Sequence, residues 1–227
     1  MASRRVVIQE KILTERKPVS VLTTSYMDLN GKRIILGSAS PRRKELLGGL
    51  DLDFTVDTGN TFQENFHGIK AFHEIPAMMS EGKSHGFHRP LADDEILITS
   101  DTVVICGDEV LGKPSDRADA VRMLKKLSGR QHEVVTAVTI RSAASEETFS
   151  DTALVRFREL ADEEIAWYID KYKPFDKAGA YGVQEWIGYV GIESIQGSFY
   201  TIMGFPVYQV YLHLKKFLSG QETVRNS

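Results

Sequence analysis

Two adjacent arginines, Arg42 and Arg43, occupy an unusual place in the segment ILGSASPRRKELLGGL (residues 35–50). Ser40 followed by proline predicts a helix start here, and each cation in a first helical turn costs about 0.3–1 kcal/mol. A bound phosphate would reverse that cost, because helix N–H groups, the hydroxyls of Ser38 and Ser40 and both guanidinium groups can bind its oxygens. The alternative is that Ser40 only caps the helix and the arginines are solvated.

An aspartate and a lysine further along the chain could take part in the same chemistry. Asp101 lies between β-branched residues in ITSDTVVI, where a carboxylate either faces solvent or needs a cation or metal. In the second case it could bind Mg²⁺ or accept a proton from an attacking water. GDEVLGKP begins a Walker A pattern, but Pro114 replaces the required Ser or Thr, so we reject a P-loop. Lys113 is then either a phosphate-binding or an ordinary surface lysine.

The glycine-containing loop FDKAGAYGVQ could let the backbone approach a planar ligand, with Gln184 hydrogen-bonding a base edge, or could be a simple tight connection. Other reactive residues carry no comparable pattern. His85 and His88 lack a third ligand with zinc-site spacing. The single cysteine, Cys106, lies in an apolar strand, which favours packing over nucleophilic chemistry.

Length and composition indicate one globular unit of ordinary type. The 227 residues are 42% hydrophobic with a formal net charge of −3, which argues against general nucleic-acid or membrane-surface binding. One cysteine excludes an internal disulfide and fits a reducing compartment. No apolar run approaches the roughly 18 residues of a membrane span, and the first 20 residues lack a signal-peptide hydrophobic block, so we expect a cytoplasmic location.

The hydrophobic periodicity predicts an α/β fold with a mixed sheet. Predicted strands cover RIILGS, EILITSDTVVIC, HEVVTAVTIR and TALVRFREL, and predicted helices cover PRRKELLGGL, EIPAMMSEGKSHGF, a segment from Asp116, ADEEIAWYIDKY and PVYQVYLHLKKFL. We also expect GYVGIESIQGSFY to form a strand pair or a bent strand. Residues 1–30 are interpreted as an N-terminal extension, residues 31–220 as the domain and residues 221–227 as a tail.

Five motifs in order and spacing closely resemble the Maf family of nucleoside triphosphate pyrophosphatases: SASPRR, SDTVV, GKP, ML..LSG..H.V.T.V and DKAGAYG.Q, between about Arg33 and Leu218. The resemblance implies an inosine-triphosphatase-like fold, in which an elongated mixed sheet with flanking helices forms two lobes around a cleft. It also implies a homodimer. Family members use a divalent metal, Mg²⁺ or Mn²⁺, to cleave a nucleoside triphosphate into the monophosphate and pyrophosphate.

The resemblance assigns roles to particular residues. Asp101 matches the proton acceptor, and Glu64 and Asp101 match metal-binding carboxylates. The phosphate-binding positions correspond to Ser38, Arg42, Arg43, Lys83 and Lys113. Three residues mark the branch that acts on dTTP and UTP rather than on 7-methyl-GTP: Arg42, Thr102 and Gln184.

The resemblance leaves several points open. Thr201 and Phe205 depart from the family pattern, and we expect them to alter the cleft wall or the dimer contact. The alternative functions are cleansing of modified nucleotides, a 7-methyl-GTP-type activity, and a nucleotide-binding regulator of cell division with little turnover. Nucleic acid and membranes are not expected as partners.

Overall fold

The computed structural model describes residues 26–65 and 68–220, which form one seven-stranded mixed sheet flanked by helices. The strands are β1 (Arg33–Leu36), β2 (Phe54–Val56), β3 (Glu95–Cys106), β4 (Glu109–Leu111), β5 (Gln131–Arg141), β6 (Glu146–Phe157) and β7 (Ile192–Gln196). The helices are α1 (Pro41–Gly48), α2 (Ile75–His85), α3 (Arg117–Leu127), α4 (Asp162–Tyr172), α5 (Trp186–Gly191), α6 (Phe199–Ile202) and α7 (Val207–Leu218), with 3₁₀ turns at Phe72–Glu74 and Ala178–Ala180. The predicted α/β class is confirmed.

Strand β3 is the centre of the sheet, and its two edges are paired differently. Strand β5 runs antiparallel along one edge for nearly the whole length of β3. The other edge is divided, because β1 pairs in parallel with residues 95–98 and β4 pairs antiparallel with residues 104–106. Among the described residues, no strand therefore covers the middle of this edge, and Asp101 lies in that gap.

The alternation of side chains along β3 creates two apolar layers, one on each face of the sheet. Val103 and Ile105 pack against Ile75 and Met79 of α2 on one face. Val104 points to the other face, into the larger core that α3, α4 and α7 cover. Because the strand is buried on both faces, apolar residues are consecutive near each of its ends, at residues 96–98 and 103–106.

Most predicted elements are confirmed, including α1, which begins after the Ser40 cap at Pro41. The prediction that GYVG forms a strand is wrong, because Trp186–Gly191 is helical and only Ile192–Gln196 is extended. Six residues are too few to show a helical period. The helix also depends on Gly188, where a Cβ atom would lie 1.8 Å from the Val183 carbonyl oxygen.

Thr201 and Phe205 are fully buried. Thr201 donates its hydroxyl to Asp151, and Phe205 packs in the main core. Neither side chain lines the cavity described below, so the expectation that they alter the cleft wall is wrong.

The ends of the chain are described only in part. Met27, which we assigned to the N-terminal extension, is buried in the main core. Residues 1–25 and 221–227 lie outside the described residues, so the predicted domain boundaries stay predictions. Across residues 26–65 and 68–220, no helix combines the length and apolar character needed to cross a membrane.

Candidate active site

A cavity of about 620 Å³ opens at the gap in the sheet. Every side chain that the sequence analysis assigned to catalysis, substrate binding or metal binding lines it: Ser38, Arg42, Arg43, Glu64, Lys83, Asp101, Thr102, Lys113 and Gln184. Asp101 and Thr102 are consecutive on β3 and so point to opposite faces of the sheet. Both reach one cavity because the cavity lies at the uncovered strand edge, where the two faces meet.

Lys83, near the end of α2, lies between the two predicted metal-binding carboxylates. Its Nζ is 2.5 Å from Asp101 Oδ1 and 2.8 Å from Glu64 Oε1. Asp101 points to the face of the sheet that α2 covers, which explains why this helix supplies its partner. The ammonium group therefore brings two acids together at the wall of the cavity.

The two carboxyl groups have opposite pKa shifts. Burial removes hydration from Asp101 and raises its pKa, although Lys83 and Arg43 oppose the change. Partial burial also acts to raise the pKa of Glu64, but there the ion pair with Lys83 prevails, and the pKa lies below its ordinary value. Such a divergence between neighbouring acids is typical of sites where one acts as a base and the other stays ionised.

The Arg43 guanidinium donates hydrogen bonds to several other residues of the protein. Its Nε donates to the Gly204 carbonyl at 2.9 Å, and one Nη donates to the Ser100 carbonyl at 2.7 Å and to Ser38 Oγ at 3.4 Å. The other Nη donates to Thr102 Oγ1 at 3.3 Å. Burial lowers the pKa of this guanidinium. Arg43 thus joins α1 to the uncovered part of β3 while it adds positive charge to the cavity.

Arg42 and Lys113 are more available to a ligand. Arg42 makes one contact across the cavity, an Nη–Oδ ion pair of 3.1 Å with Asp176. Lys113 forms no ion pair with any residue in the ranges 26–65 and 68–220, and its side chain lines the cavity. A polyphosphate could therefore bind both cations without removing a buried partner.

The cavity is also lined by apolar side chains and by a glutamine. Val104, Val134 and Met203 contribute apolar wall. Within the described part of the chain, the Gln184 Oε1 atom is buried and has no hydrogen-bond partner. An unpartnered buried acceptor is costly, and Gln184 lines the cavity, so a ligand N–H donor that reached this atom would be favoured. Thr102 is less free, because its hydroxyl already bonds to Thr136 Oγ1 at 2.9 Å.

Two contributors were given no role from the sequence. Asn60 donates to the Lys83 carbonyl at 2.5 Å and accepts from the Phe62 amide at 2.7 Å, so it fastens the loop of Glu64 to α2. Lys177 is buried beside the cavity and pairs with acids on both sides. The only local signals were turn composition around Asn60 and the small residues that follow Lys177.

Glu64 and Asp101 are hard oxygen donors facing one cavity, which suits Mg²⁺ or Mn²⁺. No cluster of three or more His, Cys, Asp or Glu residues with metal-site geometry occurs in ranges 26–65 and 68–220. A cation bound by one or two carboxylates normally completes its shell with water and substrate phosphates. The donor set therefore fits a metal that binds together with a polyphosphate.

Comparison with known proteins agrees with this geometry. A dTTP/UTP pyrophosphatase of Parabacteroides distasonis is 47% identical over 190 residues, covering 84% of this chain and 98% of that protein. A Porphyromonas gingivalis protein of the same name is 45% identical over 192 residues, covering 84% of this chain and 96% of that protein. The family model described as Maf-like protein matches residues 33–217. This chain therefore belongs to the Maf family.

Proposed function

We propose that the protein hydrolyses dTTP and UTP to the corresponding monophosphate and pyrophosphate. The observation that carries the proposal is one cavity lined both by a buried carboxylate of raised pKa, Asp101, and by the cationic side chains of Arg42, Lys83 and Lys113. The similar proteins of Parabacteroides distasonis and Porphyromonas gingivalis are named dTTP/UTP pyrophosphatases, which supports the same substrates here.

In the proposed reaction, water attacks the α-phosphorus and pyrophosphate leaves. Asp101 accepts the proton of the water, and its raised pKa makes it a stronger base than an exposed aspartate. Lys83 holds Asp101 in place by the 2.5 Å contact. Arg42 and Lys113 stabilise the negative charge that develops on the non-bridging and leaving oxygens.

Glu64 and Asp101 would hold a divalent cation, either Mg²⁺ or Mn²⁺. When bound, such an ion neutralises phosphate charge and lowers the pKa of its bound water. Lys83 contacts both carboxylates, so its positive charge offsets their mutual repulsion.

Gln184 would select the base. Uracil and thymine present an N3–H donor between two carbonyl groups, whereas N3 of cytosine is an acceptor. The vacant Gln184 Oε1 acceptor suits the donor and disfavours cytosine, because two facing acceptors leave both desolvated and unpaired.

The test is release of pyrophosphate from dTTP, UTP, CTP and 7-methyl-GTP by the purified chain with Mg²⁺. We expect turnover of dTTP and UTP and much weaker turnover of CTP and 7-methyl-GTP. Nucleotide binding without pyrophosphate release would favour the alternative of a regulator of cell division. Faster turnover of pyrimidines modified on the ring than of dTTP or UTP would favour cleansing of modified nucleotides.

We also propose that the protein is a homodimer that associates through an apolar surface beside β7. This surface comprises Tyr189, Ile195, Phe199 and Tyr200, all exposed by 37% or more. In the described part of the chain, β7 pairs only with β6, so its outer edge can accept a second copy. Light scattering should give the mass of a dimer, and Tyr200→Lys should give that of a monomer.

A further inference from the structure

The segment that carries Gln184 is closed by buried hydrogen bonds that the proposed reaction does not use. We call Tyr168, Lys177 and Glu185 the loop cluster. The Glu185 carboxylate is at its centre, because one oxygen accepts the Tyr168 hydroxyl and the other accepts the Lys177 ammonium at 3.1 Å. Lys177 and Glu185 stand at the two ends of the segment, so their contact fastens one end to the other.

The Tyr168 hydroxyl makes a second contact with the same segment. It accepts the Gly182 amide at 3.0 Å while it donates to Glu185. Tyr168 is fully buried on α4, and burial together with Glu185 raises its pKa well above the ordinary value, which keeps it a donor. One hydroxyl thus binds the backbone two residues before Gln184 and the side chain one residue after it.

The cluster is fully paired and closely packed. Lys177 has a second acid, Asp176, at 2.7 Å. A Cβ atom on Gly182 would lie 2.8 Å from the Glu185 carboxyl carbon, so a larger residue would have to displace the carboxylate from its place in the cluster. A buried polar network in which every member is bonded holds its parts in one arrangement.

Gln184 itself has no such support, because its Oε1 has no partner among residues 26–65 and 68–220. The loop cluster holds the chain on both sides of Gln184, at the Gly182 amide and at the Glu185 carboxylate. We propose that the loop cluster positions the Gln184 carboxamide and thereby sets the preference for uracil and thymine over cytosine. This inference rests on the proposed function. The residues of the loop cluster are positioning residues that act through Gln184.

The test compares two matched substitutions, Tyr168→Phe and Tyr172→Phe. Both tyrosines lie on α4, and their rings stack with centroids 5.1 Å apart. The Tyr172 hydroxyl has no hydrogen bond to another described residue, so its loss controls for ring chemistry and expression. The measurement is kcat/KM for UTP divided by kcat/KM for CTP. We expect Tyr168→Phe to lower this ratio at least fivefold, roughly the effect of one hydrogen bond, and Tyr172→Phe to change it less than twofold.

A double-substitution cycle separates positioning from general damage. Gln184→Ala should lower the ratio, and adding Tyr168→Phe to it should lower the ratio no further. If Tyr168→Phe keeps the wild-type ratio, or lowers it equally in both backgrounds, the inference is overturned. Should Tyr168→Phe not fold by circular dichroism, Glu185→Gln, which removes the ion pair with Lys177, takes its place with the same expectations.

Failure of the proposed function gives a different result. In that case the wild-type protein would release pyrophosphate from neither UTP nor dTTP, and no ratio could be measured. If the wild type hydrolyses UTP but Gln184→Ala leaves the ratio unchanged, base reading by Gln184 is wrong, and the inference falls with it.

Discussion

Asp101→Asn should abolish most turnover without unfolding the protein. The substitution keeps the size of the side chain and removes its ability to accept a proton. General-base catalysis contributes about 10²–10⁴-fold, which is about 2.7–5.5 kcal/mol of barrier. We therefore expect kcat for dTTP to fall at least a hundredfold, while the dTTP dissociation constant measured without Mg²⁺ changes little, because Arg42 and Lys113 still line the cavity.

The free energy of unfolding of Asp101→Asn should not fall with its activity. A carboxyl group whose pKa is higher in the folded than in the unfolded chain takes up protons on folding, so it lowers stability as pH rises through the shifted pKa. Asp101 is such a group because it is buried. A neutral Asn avoids this desolvation, and Lys83 keeps Glu64 as a partner at 2.8 Å. At pH 7 the free energy of unfolding should stay within about 1 kcal/mol of the wild-type value or rise.

The assay pairs pyrophosphate release with urea denaturation monitored by tryptophan fluorescence. Asp170→Asn is the matched control, since Asp170 forms a comparable charged pair with Arg117 on the surface, with Nε–Oδ1 at 2.7 Å. It should leave activity within twofold of wild type. Turnover by Asp101→Asn within tenfold of wild type would refute the catalytic role. A loss of more than about 3 kcal/mol of stability would refute the argument that burial makes this charge unfavourable.

Two further outcomes follow from the site and its surroundings. Glu64→Gln should raise the Mg²⁺ concentration for half-maximal turnover about tenfold, whereas exposed Glu81→Gln on α2 should not change it; equal curves would exclude Glu64 as a ligand. Burial lowers the pKa of His132 to about 4 from 6.5. Between pH 4 and 6.5 the unfolded chain therefore binds one more proton than the folded protein. The free energy of unfolding should rise by about 3 kcal/mol as the pH increases across that range. His132→Gln should flatten the dependence of the urea midpoint on pH between 4 and 6.5, and an unchanged slope would assign it to other groups.

Local patterns were sufficient for most elements, whereas Glu64 and Lys83 entered the predicted site only through the resemblance to the Maf family. The N-cap at Ser40 and the apolar run of β3 are short-range features, and both are confirmed. The helix at Trp186–Gly191 was missed because its formation depends on a close contact between Gly188 and the preceding loop, which no period within six residues shows.

The residue types at the site could be predicted from the sequence, but the contacts that each residue makes could not. Arg43 is predicted to bind phosphate, and its guanidinium also donates to the carbonyl groups of Ser100 and Gly204. These partners lie 57 and 161 residues away, so no local pattern could show them. Lys177 was missed as a buried residue for the same reason, because Glu185 becomes its partner only when the loop closes.

The sequence by itself determined which residues carry charge, which apolar stretch forms the long strand β3 and where α1 starts. These depend on side-chain chemistry and on periods of two to four residues. The tertiary structure alone decided that Asp101 and Thr102, which point to opposite faces of one strand, serve the same cavity. The physical reason is that β1 and β4 share one edge of β3 and leave its middle uncovered, and that edge pairing is set by contacts between segments distant in the chain.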